Sequence, residues 1–142
     1  MNGFLLDTNC ISEFVSPQPE RRVLDWLDAT DERLLFLSVL TLGEIRKGVE
    51  ASAPGKRRTR LESWLEVELP VRFAGRILSI NRAVAERWGS LAALGKRRGR
   101  PLAVIDGLLA ATALEHDLAL VSRNVGDFAG TGLSVVNPWQ TP

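Results

Sequence analysis

The stretch Phe4-Leu5-Leu6-Asp7-Thr8-Asn9 constrains the fold of this chain more than any other. Three consecutive apolar residues are the pattern of a strand covered on both faces, and such strands belong to parallel sheets flanked by helices. The run stops at an acid, a hydroxyl and an amide. In open α/β sheets the ligand site lies beyond the carboxyl ends of the strands, which is where Asp7 stands. A lone Asp after a strand is more often the cap of the next helix. Its meaning therefore depends on whether other acids arrive at the same edge.

The remaining sequence repeats the alternation. Leu34-Leu35-Phe36-Leu37, Arg76-Ile77-Leu78-Ser79-Ile80, Leu118-Ala119-Leu120-Val121-Ser122 and Leu133-Ser134-Val135-Val136 read as further strands. Helices are expected over 8–14, 20–29, 41–51 and 56–69. A longer one is capped by Asn81 with Val84, Trp88 and Leu91 on one side, and a largely apolar one covers 102–114. Ser16-Pro17-Gln18-Pro19 and Ala53-Pro54-Gly55 are breakers, and Gly95 to Pro101 is a basic, glycine-broken connection. Strands alternating with helices predict an α/β fold, a three-layer α/β/α sandwich with a central parallel sheet. A chain of 142 residues without repeats or linkers is expected to form one domain over 1–142.

Composition removes several function classes. The net charge of +1, from 18 Lys and Arg against 17 Asp and Glu, neither demands nor excludes a nucleic-acid partner. Cys10 is the only cysteine, so no disulfide forms within the chain, and beside Ile11 it reads as a small core residue. With His116 as the only histidine, a His/Cys zinc site is nearly impossible. Met1-Asn2-Gly3 lacks a basic signal-peptide start, and no apolar run approaches the roughly 18 residues of a membrane span. A soluble, cytoplasmic protein is expected.

Three further acids can reach the same edge as Asp7. Glu44 follows the second strand, and Thr41-Leu42-Gly43-Glu44 also fits a capping box, which would make the acid purely local. Asp106 opens the apolar helix, where the macrodipole favours an acid. That helix reads as buried, however, and an ionised carboxylate there needs a cation within reach; the nearest basic residue is Arg100. Asp127 lies in Ser122-Arg123-Asn124-Val125-Gly126-Asp127-Phe128, a loop leaving a strand, and a turn role explains it equally well. In a doubly wound sheet all four can converge at the carboxyl edge. Gathered carboxylates raise one another's pKa unless a cation sits between them. Oxygen-only ligands suit Mg²⁺ or Mn²⁺, held by few carboxylates and several waters. Such an ion activates water and stabilises charge on phosphoryl oxygen, the chemistry of phosphodiester cleavage. Thr8, Asn9 and Ser122 are candidates to aim the carboxylates through hydrogen bonds.

Four blocks carry a family resemblance: Leu5-Leu6-Asp7-Thr8-Asn9, Ser38 to Glu44, Asp106 to Ala113, and Ser122-Arg123-Asn124. In order and rough spacing they resemble the PIN-domain ribonucleases, nearly end to end. The closing Asn137-Pro138-Trp139 is similar to the branch containing VapC- and FitB-type toxins of type II toxin–antitoxin modules. The resemblance implies a Mg²⁺- or Mn²⁺-dependent endoribonuclease acting on RNA, a homodimer, inhibited by a small antitoxin encoded beside it. DNA would be reached only indirectly, through that antitoxin. Asp7, Glu44 and Asp106 match the family's three metal-site acids. Some members carry an acid where Asn124 stands; here Asp127 is kept as the fourth acid and Asn124 as a supporting ligand or orienter. The number of metal ions stays open.

Two basic runs, Lys56-Arg57-Arg58-Thr59-Arg60 and Lys96-Arg97-Arg98-Gly99-Arg100, polarise a nearly neutral chain. The second directly precedes the Asp106 helix, so Lys96, Arg97, Arg98 and Arg100 are expected to meet the RNA backbone. Trp64 and Trp88, on amphipathic helices, are candidates for a subunit interface or an antitoxin groove. The competing expectation is a catalytically weak RNA- or protein-binding module that keeps the fold and acts through its antitoxin. A phosphoryl-transfer enzyme with Asp7 as nucleophile fits poorly, since no second acid follows two residues on.

Overall fold

Each apolar run becomes a strand, and all five strands lie parallel. In the computed structural model, which describes residues 2–140, Phe4–Leu6 forms β1, Leu35–Ser38 β2, Ile77–Leu78 β3, Ala119–Val121 β4 and Val135–Val136 β5. Met1, Thr141 and Pro142, the outermost residues of the expected 1–142 unit, lie outside the described residues. The order across the sheet is β3-β2-β1-β4-β5. Phe4 pairs with Leu35 on one side of the central strand, and Leu5 with Leu120 on the other. The chain builds outward from β1 in one direction and then returns to build in the other. The topological switch point therefore falls between β1 and β4, and a crevice opens beyond their carboxyl ends.

Successive strand side chains point to opposite faces, and this period of two divides the core. Leu6, Leu35, Leu37 and Val121 face one side, packed with Cys10, Ile11, Val23, Leu27, Ile45, Val49, Trp64, Leu65 and Leu69. Leu5, Leu120, Phe36, Leu78 and Val135 face the other, packed with Leu91, Leu109, Ala110, Ala113 and Phe128. Helices α1 (Thr8–Ile11), α2 (Arg21–Ala29), α3 (Val39–Ala51), α4 (Lys56–Ser63) and α5 (Leu69–Arg72) supply the first layer. Helices α6 (Arg82–Arg97) and α7 (Val104–Glu115) supply the second. This is the expected three-layer α/β/α sandwich. Among the described residues no helix is long and apolar enough to cross a membrane.

Several boundaries differ from expectation for local reasons. Helix α3 starts at Val39, because the Ser38 hydroxyl accepts the Leu40 N–H at 3.0 Å and caps the helix before Thr41 can. The helix expected to end at Leu69 continues to Arg72 through a wider π turn over Trp64–Glu68. Trp64 is thereby carried into the core at 8% exposure, so it is not available to a partner. Helix α6 runs to Arg97, placing Lys96 and Arg97 on the helix, and the connection begins only at Arg98. The edge strands β3 and β5 are two residues each, shorter than the apolar runs that contain them.

Two glycines let the second layer close tightly. A Cβ on Gly95 would lie 2.6 Å from the Arg100 carbonyl oxygen, where the connection folds back over the end of α6. A Cβ on Gly107 would lie 2.8 Å from Trp88 Cδ1 and 3.2 Å from Leu102 Cδ2. Trp88 is thus half-buried against α7, seated where that helix has no side chain. Replacing Gly107 with Ala gains helix propensity but overpacks the indole, for a net loss of about 1–2 kcal/mol. Thermal unfolding followed by circular dichroism is expected to show a lowered Tm for Gly107→Ala, and Trp88 fluorescence is expected to shift with it.

Candidate active site

The switch-point edge is built from the end of β1 outward. The Asp7 backbone N–H still donates to Val121 O at 2.9 Å, completing the pairing of β1 with β4. The chain then turns, and Asp7 caps α1 by accepting the Thr8 N–H on Oδ1 at 2.7 Å. Its other oxygen accepts the Ser122 hydroxyl at 2.7 Å, from the residue that follows β4. The capping role is therefore real and engages only one of the two oxygens. Ser122 Oγ in turn accepts the Asn124 N–H at 3.1 Å, so loop and carboxylate are held as one unit.

The other acids arrive from three further segments. Glu44 sits in the second turn of α3, past the reach of the Ser38 cap, so the capping-box account of it does not hold. Its Oε1 instead accepts the Thr8 hydroxyl at 2.5 Å, which ties α3 to the residue after Asp7. The buried Thr41 hydroxyl lies beside the same group, 3.4 Å from Thr8 Oγ1. Asp106 stands in the first turn of α7, half-buried. Asp127 lies exposed in a 3₁₀ turn over Val125–Phe128.

The sequence placed the buried acid wrongly. Helix α7 is not covered all round: Val104 is 57% exposed and Ile105 37%, and its buried residues, Gly107 and Leu109 to Ala113, come only after Asp106. The first turn is the exposed end of the helix, and Asp106 stands half-buried on the cleft it lines. The deeply buried acid is Asp7, at 7% exposure.

These four carboxylates form one electrostatic unit. Burial pushes the Asp7 carboxyl above its ordinary range, and the charges of Glu44 and Asp127 push in the same direction, against hydrogen bonds from Ser122 and Thr8. Asp106 is also raised, first by burial and then by Asp7, Asp127 and Glu44. Among the described residues none of the four pairs with a Lys or Arg. Arg46, two residues from Glu44, pairs with Glu66 and Glu50, and Arg123, next to Ser122, is also drawn elsewhere. Its guanidinium lies 4.8 Å over the Trp139 ring and 3.7 Å from Glu13, and its carbonyl accepts from Asn137 Nδ2. That clasp gives the closing Asn137-Pro138-Trp139 a structural role.

Among the described residues no three Asp, Glu, His or Cys side chains close into a ready-made metal cage. The acids share an edge without gripping a point. An open, oxygen-only set with no cation of its own fits a hard divalent ion that retains several waters. The Asn9 Oδ1 is buried without a partner, which adds an unsatisfied oxygen on α1. Cys10, one residue further, is no ligand: it is fully buried and its thiol is pushed up to about 12.

Beside the acids lies a cleft of about 600 Å³ between α6, the 98–103 connection and the 124–132 loop. Asp106 and Asp127 line one part of it, and Arg98 and Arg100 another. Of the basic run, Lys96 and Arg97 do not reach it. The apolar wall of Leu91, Leu94 and Leu102 had no counterpart in the sequence, where Leu91 reads as one side of the long helix and Leu102 as the start of the apolar one.

Fold and site together define a doubly wound parallel α/β domain with an unneutralised acidic edge at its switch point. The PIN domain family matches residues 4–131, and this chain belongs to that family, among its FitB- and VapC-type members. It is 40% identical over 135 residues to Toxin FitB of Neisseria gonorrhoeae, covering 95% of this chain and 97% of that protein. It is 38% identical over 136 residues to VapC ribonuclease Y4jK of Sinorhizobium fredii, covering 96% and 97%. The solved structure of FitAB bound to an IR36 DNA fragment superposes with a TM-score of 0.92 at 37% identity, covering 98% of this chain and 97% of that one.

The raised Asp7 carboxyl has a consequence for stability. With no cation bound, the folded state holds the Asp7 proton to higher pH than the unfolded chain does. This group's stabilising contribution is therefore complete below the ordinary aspartate range and is lost as pH rises through the raised value. Asp7→Asn keeps an acceptor for the Thr8 N–H and removes the ionisation cost. At neutral pH without divalent ions the variant is expected to be more stable than the parent by about 1 kcal/mol. Urea unfolding at several pH values is expected to show the gap close as the pH is lowered.

Proposed function

We propose that this chain is a Mg²⁺- or Mn²⁺-dependent endoribonuclease, the toxin of a toxin–antitoxin pair. The observation that carries the reading is the gathering of Asp7, Glu44, Asp106 and Asp127 at one edge with, among the described residues, no basic side chain paired to them. Such an edge is stable in its ionised form only with a cation present. Asp7, Glu44 and Asp106 would hold the ion and Asp127 would complete the acidic site. When bound, a divalent ion lowers the pKa of water and stabilises charge on a phosphoryl oxygen. Ser122 and the Thr8 N–H orient the two oxygens of Asp7, and the Thr8 hydroxyl orients Glu44. Asn9 and Asn124 support the same edge. The named relatives, a toxin, a VapC ribonuclease and a FitAB–DNA assembly, support an RNA substrate and a small antitoxin partner that carries the contact with DNA. A homodimer is part of the same reading.

The second reading is a catalytically weak binding module, and the openness of the acidic set is the observation that favours it. Cleavage of a mixed RNA pool separates the two. The purified protein is expected to cut in Mg²⁺ or Mn²⁺, stop on chelation, and leave 5′-phosphate and 3′-hydroxyl ends. A deoxynucleotide at the cut site is expected to be tolerated, whereas obligatory 2′,3′-cyclic ends would exclude hydrolysis by water. Asp106→Asn is expected to lose about 10²-fold or more in rate, the scale of removing one preorganised charge-stabilising group. Equal growth arrest by the parent and Asp106→Asn would establish the binding module instead.

Ser122→Ala tests the orienting bond separately. Without its donor the Asp7 carboxyl rises further, and about 10–100-fold is expected to be lost in Mn²⁺ affinity, read as the midpoint of an activity titration against the ion. An unchanged midpoint would remove Ser122 from the site.

A further inference from the structure

The Thr41-Leu42-Gly43-Glu44 motif does not serve the end of its helix. Ser38 already caps α3 through the Leu40 N–H, so the threonine and the acid are released from the capping box they resemble. Residues three apart lie on one face of a helix. Both side chains meet a single atom outside α3, the Thr8 Oγ1 on α1. Glu44 Oε1 lies 2.5 Å from it and Thr41 Oγ1 3.4 Å.

A hydroxyl has one proton to give, and an ionised carboxylate can only accept. The short contact with Glu44 therefore takes the Thr8 proton, and the Thr41 contact runs the other way, with Thr41 donating and Thr8 accepting. Thr41 is fully buried, away from water, and among the described residues Thr8 is its one side-chain partner. Threonines in helices divide between two χ1 wells, so position in α1 alone does not commit the Thr8 hydroxyl to Glu44. A second hydroxyl donating from behind commits it, and polarises the bond that Thr8 gives. The other oxygen of Glu44 accepts no hydrogen bond among the described residues.

We propose that Thr41 is a positioning residue for the acidic site. Its hydroxyl locks Thr8 in one rotamer, and that rotamer sets where Glu44 presents its second oxygen to a divalent ion. For the ion this rests on the metal-dependent reading above; for the Thr8 rotamer it does not.

Thr41→Val keeps the shape and removes the hydroxyl, and Thr41→Ser keeps the hydroxyl and removes a methyl. In the metal-free protein, three-bond NMR couplings from the Thr8 backbone N and C′ to its Cγ2 read the χ1 rotamer. One rotamer is expected in the parent and in Thr41→Ser, and averaged couplings in Thr41→Val. Mn²⁺ affinity, read from the electron paramagnetic resonance of the free ion, is expected to fall about 10-fold in Thr41→Val and to recover in Thr41→Ser. Stability is expected not to follow, since a buried hydroxyl with one long bond contributes little. The Tm of metal-free Thr41→Val is therefore expected at or above that of the parent. Thr112→Val, at another fully buried threonine, whose hydroxyl donates to Leu108 O at 2.7 Å, is expected to leave Mn²⁺ affinity unchanged. Should valine not be accommodated, Thr41→Ala carries the same two measurements.

A single Thr8 rotamer in folded Thr41→Val overturns the proposal, whatever the ion does. Averaged couplings with undiminished Mn²⁺ affinity overturn it as well, and so does a loss of affinity that Thr41→Ser fails to restore. A parent that binds no Mn²⁺ overturns the metal-dependent reading and the role toward the ion with it, while the couplings still decide whether Thr41 locks Thr8.

Discussion

The bond from Ser122 to Asp7 is the contact on which the rest of the arrangement depends. It joins the ends of β1 and β4 across the switch point and fixes one oxygen of a carboxylate that burial pushes upward and this bond pulls back. The Thr8 N–H fixes the other oxygen, and the Thr8 hydroxyl then brings Glu44 on α3 into the same set. Three segments far apart in sequence are thus tied together through two adjacent residues. The acids repel one another, and no cation within the described chain relieves them. A central strand whose Leu5 and Leu6 are fully buried anchors that unfavourable edge. Local instability placed on a rigid frame is the usual condition of a site that binds something.

The two faces of the sheet make unequal contributions. The face covered by α1 to α5 carries the larger core and positions Asp7 and Glu44 at its upper edge. The face covered by α6 and α7 packs through a missing side chain, with Trp88 against Gly107, and its connection turns back over Gly95. That close approach places Arg98 and Arg100 on the same cleft as Asp106 and Asp127. Arginines and acids thus meet on one cleft, with Arg98, Arg100 and Asp106 from the α6–α7 layer and Asp127 from the loop after β4. Arg123, the one basic residue adjoining Ser122, is held over Trp139 and toward Glu13, which leaves the acidic edge uncompensated.

Much of this was legible before any coordinates. Strands show as unbroken apolar runs because both their faces are covered, and Asp7 and Ser122 stand directly after two of them. The misjudged positions share one cause. Thr41 looks like a cap until Ser38, three residues earlier, is seen to have capped the helix already. Asp106 looks buried because its helix is apolar, but it stands in the helix's exposed first turn, beside Val104 and Ile105, and is only half-buried. Trp64 looks like an interface residue because its helix is amphipathic, and the π turn then carries it into the core. In each case the residue types were right and the surroundings decided their use.

Sequence alone determined the alternation of strands and helices, the parallel sheet that follows from it, and the placing of Asp7 and Ser122 just past strand ends. Those features depend on neighbours within a few residues, through periodicity, capping and turn chemistry. Tertiary structure decided which acid is buried, which arginines line the cleft and which do not, and that the Asp7 and Asp106 carboxyls are raised together. Charge interaction and desolvation are sums over everything nearby in space. For positions 7, 44, 106 and 127, what is nearby was set by the order in which the strands assemble.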